Sequence, residues 1–166
     1  MDINLKLKKI RLGISVGDIN GVGLEVIMNT FSDKRIFDLC TPVIYASSDY
    51  VSDYQKQIGF KSFSFNLVKP HAKIDFNRAN LVSCWTENLN LELGVESPEG
   101  GVFALKSLRA AVEGLKKGEV DALVTAPINK HNIQSADFNF PGHTEYLASQ
   151  FTGGEALMFM LSLIHI

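Results

Sequence analysis

The chain is short of several things, and each shortage bears on what it could do. It has two cysteines in 166 residues. Cys40 and Cys84 lie in apolar surroundings with no CxxC or Cys/His spacing, which suits reduced core thiols in a cytosolic protein rather than a disulfide scaffold or zinc site. No apolar run approaches the ~18 residues of a membrane span, and the N-terminus lacks the apolar middle of a signal peptide. Positive charge is not in excess: 16 Lys and Arg stand against 18 Asp and Glu. That balance argues against a nucleic-acid or other polyanion partner. The one basic cluster, Lys6 to Lys9 with Arg11, reads as a solvated lead-in to a strand. Neither a GxGxxG dinucleotide fingerprint nor a GxxxxGK[ST] phosphate loop is present.

What is present is the alternation of an α/β protein. A hydrophobic content of 46% against 20% charged residues supplies a core for one ordinary domain. Ile10 to Val16 reads as a strand and Leu24 to Phe31 as a helix, with Leu24, Ile27, Met28 and Phe31 at helical spacing. Between them lies Gly17-Asp18-Ile19-Asn20-Gly21-Val22-Gly23, a GDxxGxG loop. It is either a tight turn or a place where backbone approaches a ligand; Asp18 either binds a substrate hydroxyl or holds the turn. Thr41 to Ala46 is the next strand, and Ser47-Ser48-Asp49 starts a helix running to Ile58. Phe63 to Val68 alternates as a strand, Lys69 to Asn80 reads as a loop carrying solvated His71 and Arg78, and Leu81 to Trp85 is a further strand. Trp85 reads as packing.

Ser97-Pro98-Glu99-Gly100-Gly101 introduces the longest helix, with Val102, Leu105, Leu108, Val112 and Leu115 toward a sheet and Gly118 at its end. Val120 to Thr125 is nearly all apolar, as a central parallel strand would be. It ends in Thr125-Ala126-Pro127-Ile128-Asn129-Lys130, where open parallel sheets bind ligands. Lys130 is either a cation for a phosphate or carboxylate or an exposed first-turn residue, and His131 reads as solvated. Pro141-Gly142-His143-Thr144-Glu145-Tyr146-Leu147-Ala148 then joins a turn to a helix ending near Phe151. Unpaired N–H groups at a helix start favour anions. His143 and Thr144 are substrate contacts there, or a surface side chain and a plain helix cap. Glu155 to Leu161 is strand-like.

The glycine loop, the Val-Thr-Ala-Pro-Ile-Asn-Lys strand end and the Phe-Pro-Gly-His-Thr-Glu-Tyr-Leu-Ala segment occur in that order. Together they resemble the 4-hydroxythreonine-4-phosphate dehydrogenase family of pyridoxal phosphate biosynthesis, from about Ile10 to Leu161. The first loop departs from the family's pattern, with Ile19 and Leu24 in place of two prolines. The resemblance implies a two-domain α/β fold shared with isocitrate and isopropylmalate dehydrogenases, here truncated. It also implies a cytoplasmic homodimer, NAD, and a divalent metal (Zn, Mg or Co). The implied reaction is oxidation of the secondary alcohol of 4-phosphooxy-threonine, with decarboxylation to 3-amino-2-oxopropyl phosphate. By motif, His143 and Thr144 match the family's substrate-binding pair, while Asp18 and Lys130 match positions near the substrate with no defined role.

The family runs to roughly twice this length. Its three metal-binding histidines follow the Gly-His-Thr-Glu motif at positions beyond Ile166, so residues 1–160 read as its N-terminal part without the metal ligands. Leu161 to Ile166 reads as a non-native tail, since one back-translation matches a sequencing adapter, and His165 arrives too early to be a ligand. Such a fragment is expected to be inactive alone. Two other readings stay open: a related dehydrogenase for another phosphorylated or carboxylated hydroxy acid, and a non-catalytic phosphate-ligand binding module.

Overall fold

Parallel pairing organises the computed structural model, which describes residues 9–60, 63–68, 73–135, 137–151 and 156–159. Among them, β1 (Ile10–Ser15), β2 (Cys40–Tyr45), β3 (Phe65–Val68), β4 (Ala79–Val82) and β5 (Ala122–Thr125) form one sheet ordered β3-β4-β2-β1-β5. β1 is the hub, in register with β2 from Ile10↔Cys40 to Ser15↔Tyr45 and with β5 from Leu12↔Ala122 to Ser15↔Thr125. Side chains alternate across a strand, so Ile14, Ile44 and Leu81 share one face and Val43 and Tyr45 the other. The first face meets α1 (Gly23–Ser32) and α2 (Ser48–Ile58) in a cluster with Leu24, Met28, Tyr50 and Val51. The second meets α3 (Pro98–Lys116), through Ala111 against Val43, Tyr45 and Val120. Helices on both faces make a doubly wound α/β layer.

The helix boundaries follow from their caps. The Ser47 side chain accepts from the Asp49 and Tyr50 N–H groups, and Gly59 ends α2 at φ 70°. The Ser97 side chain accepts from Gly100 N, Pro98 opens the first turn of α3, and Gly118 stands at φ 69° just past its end. No helix among the described residues is long and apolar enough to cross a membrane.

Several sequence expectations change. Val120 to Thr125 is not a central strand: β5 spans only Ala122–Thr125 and is an edge of the sheet, with Val124 47% exposed. Its apolar face instead borders an open groove of about 360 Å³ beside α1, lined by Leu12, Ile14, Val26 and Ile27 among others. Val102 is exposed, while Phe103, Ala104 and Ser107 are buried, because α3 is covered on two sides. The sheet takes one side, and Ile133, Phe138 and Tyr146 pack on the other. The third and fourth strands are Phe65–Val68 and Ala79–Val82, so the expected loop stops before Ala79 and Trp85 lies past the strand. Residues 156–159 carry no strand, and Leu157, Met158 and Phe159 are exposed. Lys6 to Lys8, His71, Glu155 and Leu161 to Ile166 with His165 lie outside the described residues.

Candidate functional site

The carboxyl ends of β1 and β5 are neighbours, and the segments leaving them are laced together. Gly17 adopts φ +71°, and a Cβ there would lie 2.1 Å from the Pro127 carbonyl oxygen. Only glycine allows that approach. Asp18 N donates to the same oxygen at 3.0 Å. Each oxygen of the Asp18 carboxylate accepts a protein hydrogen bond: Oδ1 from Asn20 N at 3.0 Å and Oδ2 from Asn132 Nδ2 at 2.8 Å. Both turn-holding and a long-range contact therefore fall to Asp18. The buried Asn20 ties in the segment before α3, donating to Val95 O at 3.2 Å and Ser97 Oγ at 3.1 Å and accepting from Glu92 N at 3.1 Å. Asn129 Nδ2 donates to Glu96 Oε2 at 2.8 Å, and Asn129 Oδ1 accepts from His131 N at 2.8 Å.

Beyond that turn, the chain reaches α4 (His143–Gln150). Its start is fixed by three rings: Phe138 and Phe140 pack on Tyr146 at centroid distances of 5.2 and 5.5 Å, and on each other at 5.4 Å. Gly142 is the N-cap residue, and no side chain caps the helix. Thr144 lies inside the first turn, half-buried, which removes the plain-cap reading. His143 beside it is half-buried, and its Nε2 is buried without a hydrogen-bond partner. Burial, and after it the Lys130 cation, hold its pKa below the ordinary 6.5. Lys130 is exposed, and its Cε passes 4.0 Å from where a Gly142 Cβ would stand. The structure thus brings Lys130 to His143, next to Thr144 in the chain, while Asp18 reaches the Lys130 turn through Pro127 and Asn132. An uncapped helix start, a neutral imidazole and an ammonium together suit an anionic group with a hydroxyl nearby.

Other candidates settle into packing or solvent. Trp85 is buried against Tyr50 and Phe103, at 5.9 and 5.2 Å. His131 is exposed. Burial pushes the Cys84 thiol up to about 12 and raises Cys40, so neither is a ready nucleophile. No three His, Cys, Asp or Glu side chains among the described residues are grouped to hold a metal ion. Asn20 escaped sequence reasoning because asparagine in a glycine-rich turn reads as local turn chemistry, and Asn132 because nothing beside it in the sequence points to Asp18. The Phe138/Phe140/Tyr146 cluster had a signal in its spacing, two aromatics flanking a Pro-Gly break.

An open parallel sheet with helices on both faces and polar side chains gathered over two adjacent strand ends defines a doubly wound α/β protein. Residues 38–163 match the family described as pyridoxal phosphate biosynthetic protein PdxA, and the chain belongs to that family. It is 43% identical over 154 residues to the 4-hydroxythreonine-4-phosphate dehydrogenase of Bacteroides thetaiotaomicron, covering 92% of this chain and 42% of that one. It is 29% identical over 158 residues to an Oceanobacillus iheyensis protein provisionally named D-threonate 4-phosphate dehydrogenase, covering 93% and 47%. A crystal structure of a 4-hydroxythreonine-4-phosphate dehydrogenase from Burkholderia phymatum superposes with a TM-score of 0.75 at 25% identity, covering 86% of this chain and 44% of that one. The chain therefore spans less than half the length of these relatives.

Proposed function

We propose that this chain is the substrate-binding part of an NAD-dependent dehydrogenase acting on 4-hydroxythreonine 4-phosphate, in the two-domain architecture shared with isocitrate and isopropylmalate dehydrogenases. The observation that carries the reading is Lys130 placed beside His143 at the uncapped start of α4. In this reading, residues 1–160 are the native part, and the whole protein is a cytoplasmic homodimer that oxidises the secondary alcohol before decarboxylation. Lys130 and the free N–H groups of α4 hold the phosphate or carboxylate, while His143 and Thr144 contact a substrate oxygen.

The divalent metal has no ligand set among the described residues. Beside Gly17 and Gly23 the β1–α1 loop is packed on protein, with Pro127 O and Val16 O 2.1 and 2.3 Å from where a Cβ at each would stand. What this chain supplies is charge and orientation at the substrate.

The test is to titrate 4-hydroxythreonine 4-phosphate into the 166-residue chain while following the His143 ring and the first-turn amides of α4 by NMR. Saturable shifts that K130A and H143A weaken by about tenfold or more are expected, the scale of one lost charge-assisted hydrogen bond. An unresponsive His143 overturns the reading. A second substrate reading comes from the relative named for D-threonate 4-phosphate, whose acid carries a hydroxyl where threonine carries an amine. Competition between the two compounds at His143 ranks them.

A further inference from the structure

We propose that Asp18 is a positioning residue: its hydrogen bond with Asn132 holds the Pro127–Asn132 turn so that Lys130 stays beside His143. The inference deepens the reading above and relies on it for the meaning of the Lys130–His143 pair.

An acidic side chain in a glycine loop at a strand end is the expected place for a substrate contact, yet both Asp18 oxygens are taken by protein donors. Oδ1 accepts from Asn20 N and Oδ2 from Asn132 Nδ2. The carboxylate also lies against the first turn of α3, where a Cβ on Gly100 would come within 2.6 Å of Oδ1. The positive end of that helix favours the charge in this place.

The far end of the contact is equally confined. Asn132 O passes so close to α3 that a Cβ on Gly101 would lie 1.9 Å from it. The other end of the turn is held by Asp18 N donating to Pro127 O. Lys130 sits between these two anchors. A lysine side chain carries large rotamer freedom, so its ammonium remains near one imidazole only if its backbone is fixed. The same Asp18 fixes both ends of the turn, with its N–H at Pro127 and its carboxylate at Asn132. Asn132 Oδ1 is buried without a partner, so the pair has one unused acceptor.

That acceptor provides a conservative variant. In D18N the new amide can keep the Asn20 contact through its oxygen and donate to Asn132 Oδ1. D18A and N132A cannot restore the link.

The experiment follows the His143 imidazole titration by NMR in the 166-residue chain, without ligand. K130M sets the upward shift produced by losing the ammonium. N132A is expected to move His143 upward by a comparable amount, and to add nothing in the K130M background. Lys130 and Glu145 are the charged side chains at this helix start, and neither N132A nor D18N alters them. D18A is expected to move His143 upward as well, although removing a carboxylate acts directly in the opposite sense. D18N keeps the link but loses the same negative charge, so it is expected to titrate no higher than the parent. A residue that only supported the fold would lower the melting temperature and leave the titration in place. An unmoved titration in N132A, or a full further shift in the K130M/N132A double variant, overturns the proposal. N132A is neutral and partly exposed, so it carries the test even if D18A does not fold. Inorganic phosphate added to the parent chain separates the two claims: a silent His143 there sinks the substrate-site reading, whereas the ligand-free titrations judge Asp18 alone.

Discussion

Ser107 Oγ accepts a hydrogen bond from Val16 N at 2.9 Å and donates one to Tyr45 O at 2.6 Å, fully buried. One hydroxyl on α3 thus ties the end of β1 to the end of β2, where the sheet gives way to its loops. Ser107→Ala strands a buried N–H and a buried carbonyl. Denaturant unfolding should show a loss of about 1–3 kcal/mol, with the slope unchanged.

Gly101→Ala should be worse, because no rotamer change relieves a Cβ placed 1.9 Å from the Asn132 carbonyl oxygen. Either α3 or the turn that carries Lys130 must move. A loss of about 1–3 kcal/mol or more is expected in unfolding. Changed chemical shifts at Lys130 and His143, far along the chain from the substitution, should accompany it.

The depressed pKa of His143 makes stability depend on acid. Its folded pKa lies below the ordinary 6.5 because burial, and then Lys130, disfavour the imidazolium. The unfolded chain therefore binds the proton more readily. The contribution is complete above pH ~6.5 and is lost as the pH falls through the folded value. Melting temperature measured down this window should fall more steeply for the parent than for H143Q, which has no group to protonate at that position.

Both thiols should resist alkylation. With Cys84 raised to about 12 and Cys40 shifted the same way, both by burial, iodoacetamide at pH 8 should label them slowly in the folded chain and readily in denaturant. Fast labelling of Cys84 under native conditions would contradict its placement.

The groove between α1 and β5 should bind an apolar dye. Val26 and Val124 lie on it at 56% and 47% exposure. Fluorescence of anilinonaphthalene sulfonate should rise with the folded chain, and V124K should reduce it with little effect on stability, since a half-exposed edge residue is changed.

Much of this was legible in the residues. Ser47 and Ser97 announced their helices, Gly118 ended one, and the alternation of strand and helix gave the parallel sheet. The short strands were displaced by about two residues, because Leu81 to Trp85 and Ala79–Val82 are both apolar enough and pairing register is decided by a partner strand. The edge position of β5 was invisible, since an apolar run states what a strand can bury and not what lies beside it. At the site, Lys130, His143 and Thr144 were singled out by motif, and the structure sets the Lys130 side chain near Gly142 and His143. The hydrogen bond between Asp18 and Asn132 links residues 114 positions apart, which no local pattern encodes.

The position of β1 between β2 and β5 has a consequence for how the chain reaches this fold. β1 pairs with β2 about one strand and one helix later, but its other edge waits for β5, with Leu12 opposite Ala122 and Arg11 bound to Asp121. Folding of non-local sheets is slow because loop closure precedes any gain from pairing. During synthesis β1 therefore keeps one edge open until nearly three quarters of this sequence has been made. Conditions that stall translation between α2 and β5 should leave a nascent chain that recruits chaperones through that edge.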